Sequence, residues 1–178
     1  MSVSKWTKIK EETAYKGWGG YAKILKKTFV LPDGRQSQFD VHSQRGAVCV
    51  FALAQNSNVI LARQFRPGTE EIYDELPGGA LEENEEPLAA AKRELREETG
   101  YTGDFRHVTI IHVSPYSNML IHCFVATNCK KTTNQHLDEK EFISVIEKTL
   151  DEFKKQLRSG KLSDINVAYL CMDFLQML

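Results

Sequence analysis

The 178-residue chain has few cysteines, and their pattern excludes the common thiol-based sites. None of the four forms a C-x-x-C pair, and no histidine lies at zinc-finger spacing from them. Cys49 and Cys123 fall inside apolar runs, which predicts buried thiols that serve as small hydrophobic groups. Reduced thiols are typical of the cytoplasm, and we expect that location. The four residues are Cys49, Cys123, Cys129 and Cys171.

The sequence also lacks a long hydrophobic run and an excess of either charge. No apolar stretch approaches the roughly 18 residues that a membrane span needs, and the N-terminal MSVSKWTKIKEE has no apolar region of a signal peptide. The 23 Lys and Arg residues against 24 Asp and Glu give a net charge of −1. We therefore expect neither nucleic acid nor a membrane as a partner, and a polyanionic ligand would need a local site.

Strand candidates dominate the first two thirds of the chain. FVLPDGRQSQFDVHSQ predicts a hairpin that turns at Pro32-Asp33-Gly34. AVCVFALA is nearly continuous in apolar residues, which is typical of a strand covered on both faces. Residues before about Arg45 are expected to form a strand-rich N-terminal arm. The remaining strand candidates are NVILARQF, VTIIHVSP and NMLIHCFVAT.

Three later segments have helical periodicity, and the first is the best delimited. It is predicted to run from about Pro87 to Thr99, with Asn84 as N-cap and Gly100 as the residue that stops it. Its apolar face, which we expect to pack on a sheet, comprises Leu88, Ala91 and Leu95.

Two more helices are predicted near the C-terminus. The helix LDEFKKQLRS is predicted to begin with a capping box formed by Thr149 and Glu152 and to stop at Gly160. INVAYLCMDFLQML follows Ser163 or Asp164 as N-cap. Strands that alternate with helices predict a sheet sandwiched between helices. The last helix is expected to bury one stripe formed by Val167, Leu170, Phe174 and Leu178.

The first helix carries acids where they repel one another. Glu94 and Glu98 are i,i+4 neighbours on a face other than the apolar one, and like-charged pairs at this spacing cost about 0.2–0.5 kcal/mol each. Glu97 and Glu98 also lie in the last turn, where the helix dipole disfavours anions. A solvated acidic surface is one explanation. A bound divalent cation is the other, and carboxylate oxygens suit Mg²⁺ or Mn²⁺.

The residues around the acids favour a binding site. Gly78 and Gly79 precede the helix and allow the backbone to approach a ligand closely. Glu85 lies one or two turns before Arg93 and is placed to hold its guanidinium.

The run GALEENEEPLAAAKRELREETGY resembles the signature of the Nudix hydrolases, G-x5-E-x7-R-E-U-x-E-E-x-G-U, in which U is a bulky apolar residue. Only Tyr101, at the last position, departs from it, by being more polar. The resemblance implies an α/β fold, a Nudix-type α/β/α sandwich with a mixed sheet over residues 45–178, and a strand-rich N-terminal arm over residues 1–44. The matching residues are Gly79, Glu85, Arg93, Glu94, Leu95, Glu97, Glu98 and Gly100.

The resemblance also implies metal-dependent hydrolysis of a nucleoside diphosphate linked to another group. Metal ions neutralise the pyrophosphate oxygens and activate the attacking water, and a carboxylate removes the proton. Glu97 is implied as a base or a further ligand, while Arg93 and Glu85 orient the carboxylates. The implied metal ligands are Glu94, Glu98, Glu97 and the carbonyl of Gly78.

The segment RQFRPGTEEIYDELPGG is similar to the one that precedes the signature in ADP-ribose pyrophosphatases. An arginine like Arg66 meets the substrate phosphates there, and its planar fork suits them. The alternative for Arg66 is a surface salt bridge with Glu70, Glu71 or Asp74. The other implied substrate contacts are Gly79, Ala80, Pro115 and Trp18.

Two of these contacts have alternatives. Pro115 is followed by Tyr116 where family members often have glycine, so Tyr116 is a further candidate for a sugar or base pocket. Trp18, Tyr21 and Trp6 are suited to stack on a base or to pack within the arm. Relatives of this type use the arm to form a homodimer, which we expect here.

Related enzymes carry a catalytic glutamate in a loop that corresponds to NQHLDEKEF. Glu141 is the first candidate for this role and Glu139 the second. The expected substrate is ADP-ribose or a similar nucleoside diphosphate sugar, cleaved to a nucleoside monophosphate and a sugar phosphate. The alternatives are a hydrolase of a GDP- or UDP-hexose and a nucleotide sensor without catalysis.

Overall fold

A computed structural model describes residues 3–17 and 22–178, which form two compact units. The first covers the described residues up to Gly46 together with His112–Leu120, and the second covers Ala47–Ile111 and Ile121–Leu178. The strands are β1 (Thr7–Lys16), β2 (Lys23–Val30), β3 (Gln36–Ser43), β4 (Ala47–Ala54), β5 (Val59–Arg66), β6 (Glu71–Glu75), β7 (Gly78–Ala80), β8 (Tyr101–His112), β9 (Leu120–Lys131) and β10 (Ser144–Lys148). The helices are α1 (Pro87–Thr99), α2 (Leu150–Arg158) and α3 (Ile165–Phe174).

The first unit contains an antiparallel sheet of β1, β2 and β3 in that order. The predicted hairpin is confirmed, because the Leu31 N–H donates to the Arg35 carbonyl at 2.8 Å and Gly34 adopts a positive φ of 84°. Trp6 lies 6.2 Å from Phe29 and 5.5 Å from Phe39 between ring centroids. These three aromatic side chains pack against one another, although none of them is fully buried.

The second unit is built on a mixed sheet with strand order β10-β5-β4-β9-β8, to which β6 adds beside β5 and β7 beside β4. β4 pairs antiparallel with β5 and parallel with β9. All eight residues of β4 are buried, as the continuous apolar run predicts for a central strand.

The side chains of β4 alternate between two hydrophobic clusters, because successive strand residues point to opposite faces of a sheet. Val48 and Val50 belong to the cluster that contains α1 residues. Phe51 belongs to the other cluster, with residues of α2 and α3, and its ring lies 5.5 Å from that of Phe153. Helices therefore cover both faces, and the predicted α/β/α sandwich is confirmed.

Helix α1 has the predicted bounds, but its cap and buried face differ from the prediction. Glu86 is the N-cap, without a side-chain cap bond, while Asn84 adopts a positive φ of 61° in the preceding turn. Leu88 is 44% exposed, because it precedes the turns that reach the sheet. The buried residues of α1 are Ala90, Ala91, Glu94, Leu95, Glu98 and Thr99.

Helix α2 confirms its predicted capping box, with both Thr149 and Glu152 bonds present. In α3 the predicted stripe is wrong beyond its first residue, because Leu170, Phe174 and Leu178 are 37%, 41% and 61% exposed. The helix is apolar around most of its surface, so hydrophobicity alone does not identify its buried face. Its buried residues are Val167, Ala168, Cys171 and Met172.

Helix α3 also ends at Phe174, four residues before the chain does. None of the helices in the described part of the chain has the length and hydrophobicity required to cross a membrane. All four cysteines are buried and free, as the sequence predicts for Cys49 and Cys123.

Candidate active site

The candidate site lies where β7 meets the last two turns of α1. Strand β7 pairs with β4, which places Gly78 opposite Cys49 and Gly79 opposite Val48. A methyl group on Gly78 would overlap the Val48 carbonyl, and one on Gly79 would overlap the Glu94 carboxylate. Gly78 therefore requires glycine because its neighbour is backbone, whereas a side chain at Gly79 would displace the Glu94 carboxylate.

Arg93 is the centre of the hydrogen-bond network at this site. Its Nε and Nη2 donate to the two carboxylate oxygens of Glu85, each at 2.9 Å. Its Nη1 donates to Glu94 at 2.8 Å and to Glu97 at 3.2 Å. Nη2 also donates to the Ala80 carbonyl at 3.3 Å. One guanidinium thus joins three carboxylates to the strand that precedes the helix.

Glu94 and Glu98 lie on the buried face of α1, so the solvated acidic surface considered above is wrong. They are 8% and 4% exposed. The Gly78 N–H donates to the Glu98 carboxylate at 2.9 Å. Neighbouring i,i+4 positions of one helix face bring both carboxylates to β7.

Burial controls the protonation of both acids. It raises the pKa of Glu98 from 4.5 to about 8, and repulsion from Glu94 and Glu141 adds to the effect, against the opposing Gly78 N–H and Arg66. Burial likewise raises the pKa of Glu94, although the adjacent Arg93 opposes it. A positive charge bound here would relieve the repulsion that contributes to these shifts.

Glu97 differs from the other two acids, since its side chain is 31% exposed. Its carboxylate accepts from Arg93, and its backbone carbonyl accepts from the His136 N–H at 2.9 Å. Glu97 therefore lies at the open edge of the site, where a base or an additional ligand would be accessible.

The donor chemistry of the site fits Mg²⁺ or Mn²⁺, because the candidate ligands are carboxylate and carbonyl oxygens. Across residues 3–17 and 22–178, no three His, Cys, Asp or Glu side chains already converge on a point that would hold a metal. Arg93 and the Gly78 N–H engage carboxylate oxygens of Glu94 and Glu98. Metal binding would therefore involve rotation of at least one of these carboxylates.

Arg66 does not pair with the carboxylates considered from the sequence. Its Nε donates to Glu75 at 2.7 Å, and Glu75 is 1% exposed. Asp74 instead pairs with Arg63 at 2.6 Å and with Lys148 at 2.7 Å. The two terminal amino groups of Arg66 have no protein partner among the described residues, so they are available to an anionic ligand.

The reasoning from sequence did not identify Glu75, whose only signal is its position directly before the glycine loop. It also missed Gln135. The Gln135 side-chain amide donates to the carbonyl of Glu98 at 2.6 Å and to that of Ile143 at 3.0 Å. It thereby ties the loop after β9 to the end of α1, where helix carbonyls lack partners within the helix. A single glutamine in a polar loop gives no signal for this role.

The loop held by Gln135 carries the two candidate catalytic glutamates. Glu141 is half-buried, its carboxylate accepts from the Asp138 N–H at 3.0 Å, and its charge contributes to the raised pKa values of Glu94 and Glu98. Glu139 is exposed. Glu141 therefore lies close enough to the acids on α1 for its charge to act on them.

Two of the other proposed substrate contacts, Gly79 and Ala80, lie at this site. Gly79 and Ala80 contact Glu94 and Arg93 respectively. Pro115 lies in the first unit, where the following residue, Tyr116, accepts a bond from the His42 N–H at 2.8 Å. Trp18 and Tyr21 lie outside the described residues.

Comparisons with known proteins agree with this geometry. The family model described as NUDIX domain matches residues 43–165. An ADP-ribose pyrophosphatase from Bacillus subtilis (strain 168) is 36% identical over 150 residues, which cover 83% of this chain and 80% of the relative. A methanol dehydrogenase activator from Bacillus methanolicus is 33% identical over 172 residues, covering 95% and 91%.

A solved structure, the crystal structure of an ADP compounds hydrolase, matches with a TM-score of 0.84. The match covers 99% of this chain and 97% of that one at 20% sequence identity. At this identity the likeness concerns the fold.

The raised pKa of Glu98 predicts a pH dependence of stability in the metal-free protein. The fold holds the Glu98 proton more tightly than the unfolded chain does, so this stabilisation is present below about pH 4.5 and is lost as the pH rises to about 8. Glu98→Gln stays neutral, and we expect it to gain stability relative to the unsubstituted chain between about pH 5 and about pH 9. Urea unfolding in EDTA across this range measures the difference.

Glu83→Gln is the matched control, because Glu83 is exposed and its replacement should leave the slope of unfolding free energy against pH unchanged. If Glu98→Gln keeps the slope of the unsubstituted chain, the proposed proton on Glu98 is wrong.

Proposed function

The chain belongs to the Nudix family, and from this premise we propose that it hydrolyses the pyrophosphate bond of ADP-ribose or a similar nucleoside diphosphate sugar. The products would be a nucleoside monophosphate and a sugar phosphate. The relative from Bacillus subtilis, named ADP-ribose pyrophosphatase, supports this substrate class. The observation that carries the proposal is the buried pair Glu94 and Glu98, of which Glu94 accepts from Arg93 and Glu98 from the Gly78 N–H.

The chemistry requires positive charge around the pyrophosphate. A divalent ion, Mg²⁺ or Mn²⁺, would neutralise phosphate oxygens and lower the pKa of the attacking water when bound. Glu94 and Glu98 are the residues that would hold it, with Glu97 and the Gly78 carbonyl as further ligands. Metal dependence is a property of the family that we propose for this chain.

Side chains of the protein would bind the phosphate and accept the proton. The Nε of Arg66 donates to Glu75. Its two terminal amino groups would bind a phosphate. Glu141 would accept the proton of the attacking water. Water attacks one phosphorus atom, the bond from that atom to the bridging oxygen breaks, and the bridging oxygen leaves with the other phosphate. Arg93 positions Glu94 and Glu97 throughout.

The sequence suggested two alternative functions. A hydrolase of a GDP- or UDP-hexose would use the same carboxylates and differ in its sugar and base contacts. A sensor without catalysis is the other, and the relative from Bacillus methanolicus is named for activation of another enzyme. The acidic set with its arginine is complete, whereas a protein that only binds a nucleotide has no need of it.

A substrate panel tests the proposal. With Mg²⁺ present, we expect kcat/KM for ADP-ribose to exceed that for GDP-mannose and UDP-glucose by more than about tenfold. EDTA should reduce hydrolysis to background, and added Mg²⁺ should restore it, because water at the site needs a metal for activation. Faster turnover of a GDP- or UDP-hexose supports the first alternative, and the absence of any turnover supports the sensor.

The network around Arg93 predicts that lysine does not replace it. Lysine keeps the charge but loses the planar fork that contacts Glu85, Glu94 and Glu97 together. Because outer groups that orient metal ligands typically contribute 10- to 100-fold, we expect Arg93→Lys to lower kcat/KM by about 10- to 100-fold. Steady-state kinetics at saturating Mg²⁺ measure the loss.

Arg96→Lys provides the matched control, since Arg96 is on the same helix and its nearest acid, Glu97, is 3.9 Å away. Its kcat/KM should stay within about twofold of the unsubstituted enzyme. Equal effects of the two substitutions would contradict the positioning role of Arg93.

We also propose that the arm over residues 1–44 forms a homodimer. Strand β1 is exposed along its whole length, and it carries Ile9 at 49% and Tyr15 at 64% exposure. A two-sided exposed strand with apolar side chains favours association. Light scattering should give a dimer that Ile9→Glu converts to a monomer, whereas Ile72→Glu, on the exposed side of β6, leaves it dimeric. A monomeric unsubstituted chain would contradict this proposal.

A further inference from the structure

A second feature of the larger unit is a cavity of about 480 Å³ beside Arg66. It lies between the turn that follows β5 and the segment that leads into α3. A volume of this size falls within the range typical of small-molecule sites, about 300–1,000 Å³. The lining residues that carry the argument are Arg66, Pro67, Tyr73, Glu75, Leu162 and Asp164.

Asp164 is the most unusual group in this cavity. It is the N-cap residue of α3, yet its side chain makes no cap hydrogen bond. Its carboxylate accepts from the Ser163 hydroxyl at 2.8 Å, and this is its one side-chain partner in the described part of the chain. A carboxylate offers about four acceptor positions, so Asp164 keeps most of its capacity for a ligand.

The surroundings of Asp164 confirm that it is not an ordinary surface acid. Burial raises its pKa, and Glu75 adds to the effect, while the Ser163 hydroxyl and Arg66 oppose it. The Asp164 side chain is half-buried, and the one hydrogen bond from Ser163 replaces only part of the water contacts that its carboxylate gives up. Asp164 therefore has acceptor positions open to a ligand in the cavity.

The charge of the cavity decides which ligand group fits. Glu75 and Asp164 supply two carboxyl groups against one guanidinium, so a second phosphate would be repelled. Hydroxyl groups are neutral donors that satisfy carboxylates, and an acidic residue binds ribose hydroxyls in this way in dinucleotide sites. Tyr73, Leu162 and Pro67 provide apolar surface that suits the C–H faces of a sugar ring.

The geometry points to a sugar subsite. We propose that this cavity binds the sugar joined to the distal phosphate of the substrate, with Asp164 accepting hydrogen bonds from its hydroxyl groups and determining specificity. Arg66 lines the cavity and also presents its free amino groups to phosphate, so it joins the two subsites. This inference rests on the proposed hydrolase function and deepens it by assigning the sugar half of the substrate to named residues.

A comparison of two substrates, on the unsubstituted chain and on one variant, tests the assignment. ADP-ribose is compared with the methyl ester of ADP, in which a methyl group replaces the sugar and the pyrophosphate remains. Asp164→Asn keeps the size and the capping ability of the residue but loses the charged acceptor. Hydrogen bonds to a charged group typically contribute enough for a loss of about 10- to 100-fold. We expect that loss in kcat/KM for ADP-ribose, with the methyl ester changed by less than about threefold.

The methyl ester also reports whether Asp164→Asn folds, since its turnover does not involve the sugar. Asp173→Asn is the matched control, because Asp173 is exposed on the same helix and should affect neither substrate. An equal loss on both substrates would place the role of Asp164 elsewhere and overturn the sugar assignment while leaving the hydrolase function intact. If the unsubstituted chain hydrolyses neither substrate, the proposed function fails and the subsite proposal fails with it.

Discussion

The candidate site depends on keeping several acidic side chains together in a place that is largely closed to water. Repulsion among Glu94, Glu97 and Glu98 would spread them apart if each were left to its own rotamers. The Arg93 guanidinium prevents this by spanning Glu85, Glu94 and Glu97 with hydrogen bonds of 2.8–3.2 Å. The acidic side chains are therefore kept close together before any cation binds, and rotation of a carboxylate is the rearrangement that binding still requires.

The same arrangement needs a rigid partner on the side of the sheet. Strand β4 is buried throughout and fixes β7 by pairing, so the glycine loop is part of the sheet and not a mobile connection. Gly79 lies against the Glu94 carboxylate, and the Gly78 N–H binds Glu98. The acids are consequently held from two directions, by the helix that carries them and by the strand that faces them.

Local sequence patterns predicted most of the secondary structure around the site. They failed for contacts between residues that are far apart in the sequence. The bounds of α1, the capping box of α2 and the complete burial of β4 follow from residue spacing, from turn residues and from an uninterrupted apolar run. The partner of Arg66 was missed because it depends on how β5 and β6 pair. The anchor Gln135 was missed because it reaches a helix end 37 residues earlier in the chain. The buried face of α3 was missed because both sides of that helix are apolar.

Arg93 and Arg66 are both held by hydrogen bonds to glutamate carboxylates. They differ in how many of their guanidinium N–H groups remain without a partner in the described part of the chain. Arg93 makes five hydrogen bonds, to Glu85, Glu94, Glu97 and a backbone carbonyl, which accounts for every N–H that a guanidinium carries. Arg66 makes one side-chain bond, through Nε to the buried Glu75. A saturated guanidinium holds other protein groups in place, whereas the terminal amino groups of Arg66 have no partner in the described part of the chain. The difference supports the proposals that Arg93 organises the acidic cluster and that Arg66 contacts the ligand beside the proposed sugar subsite.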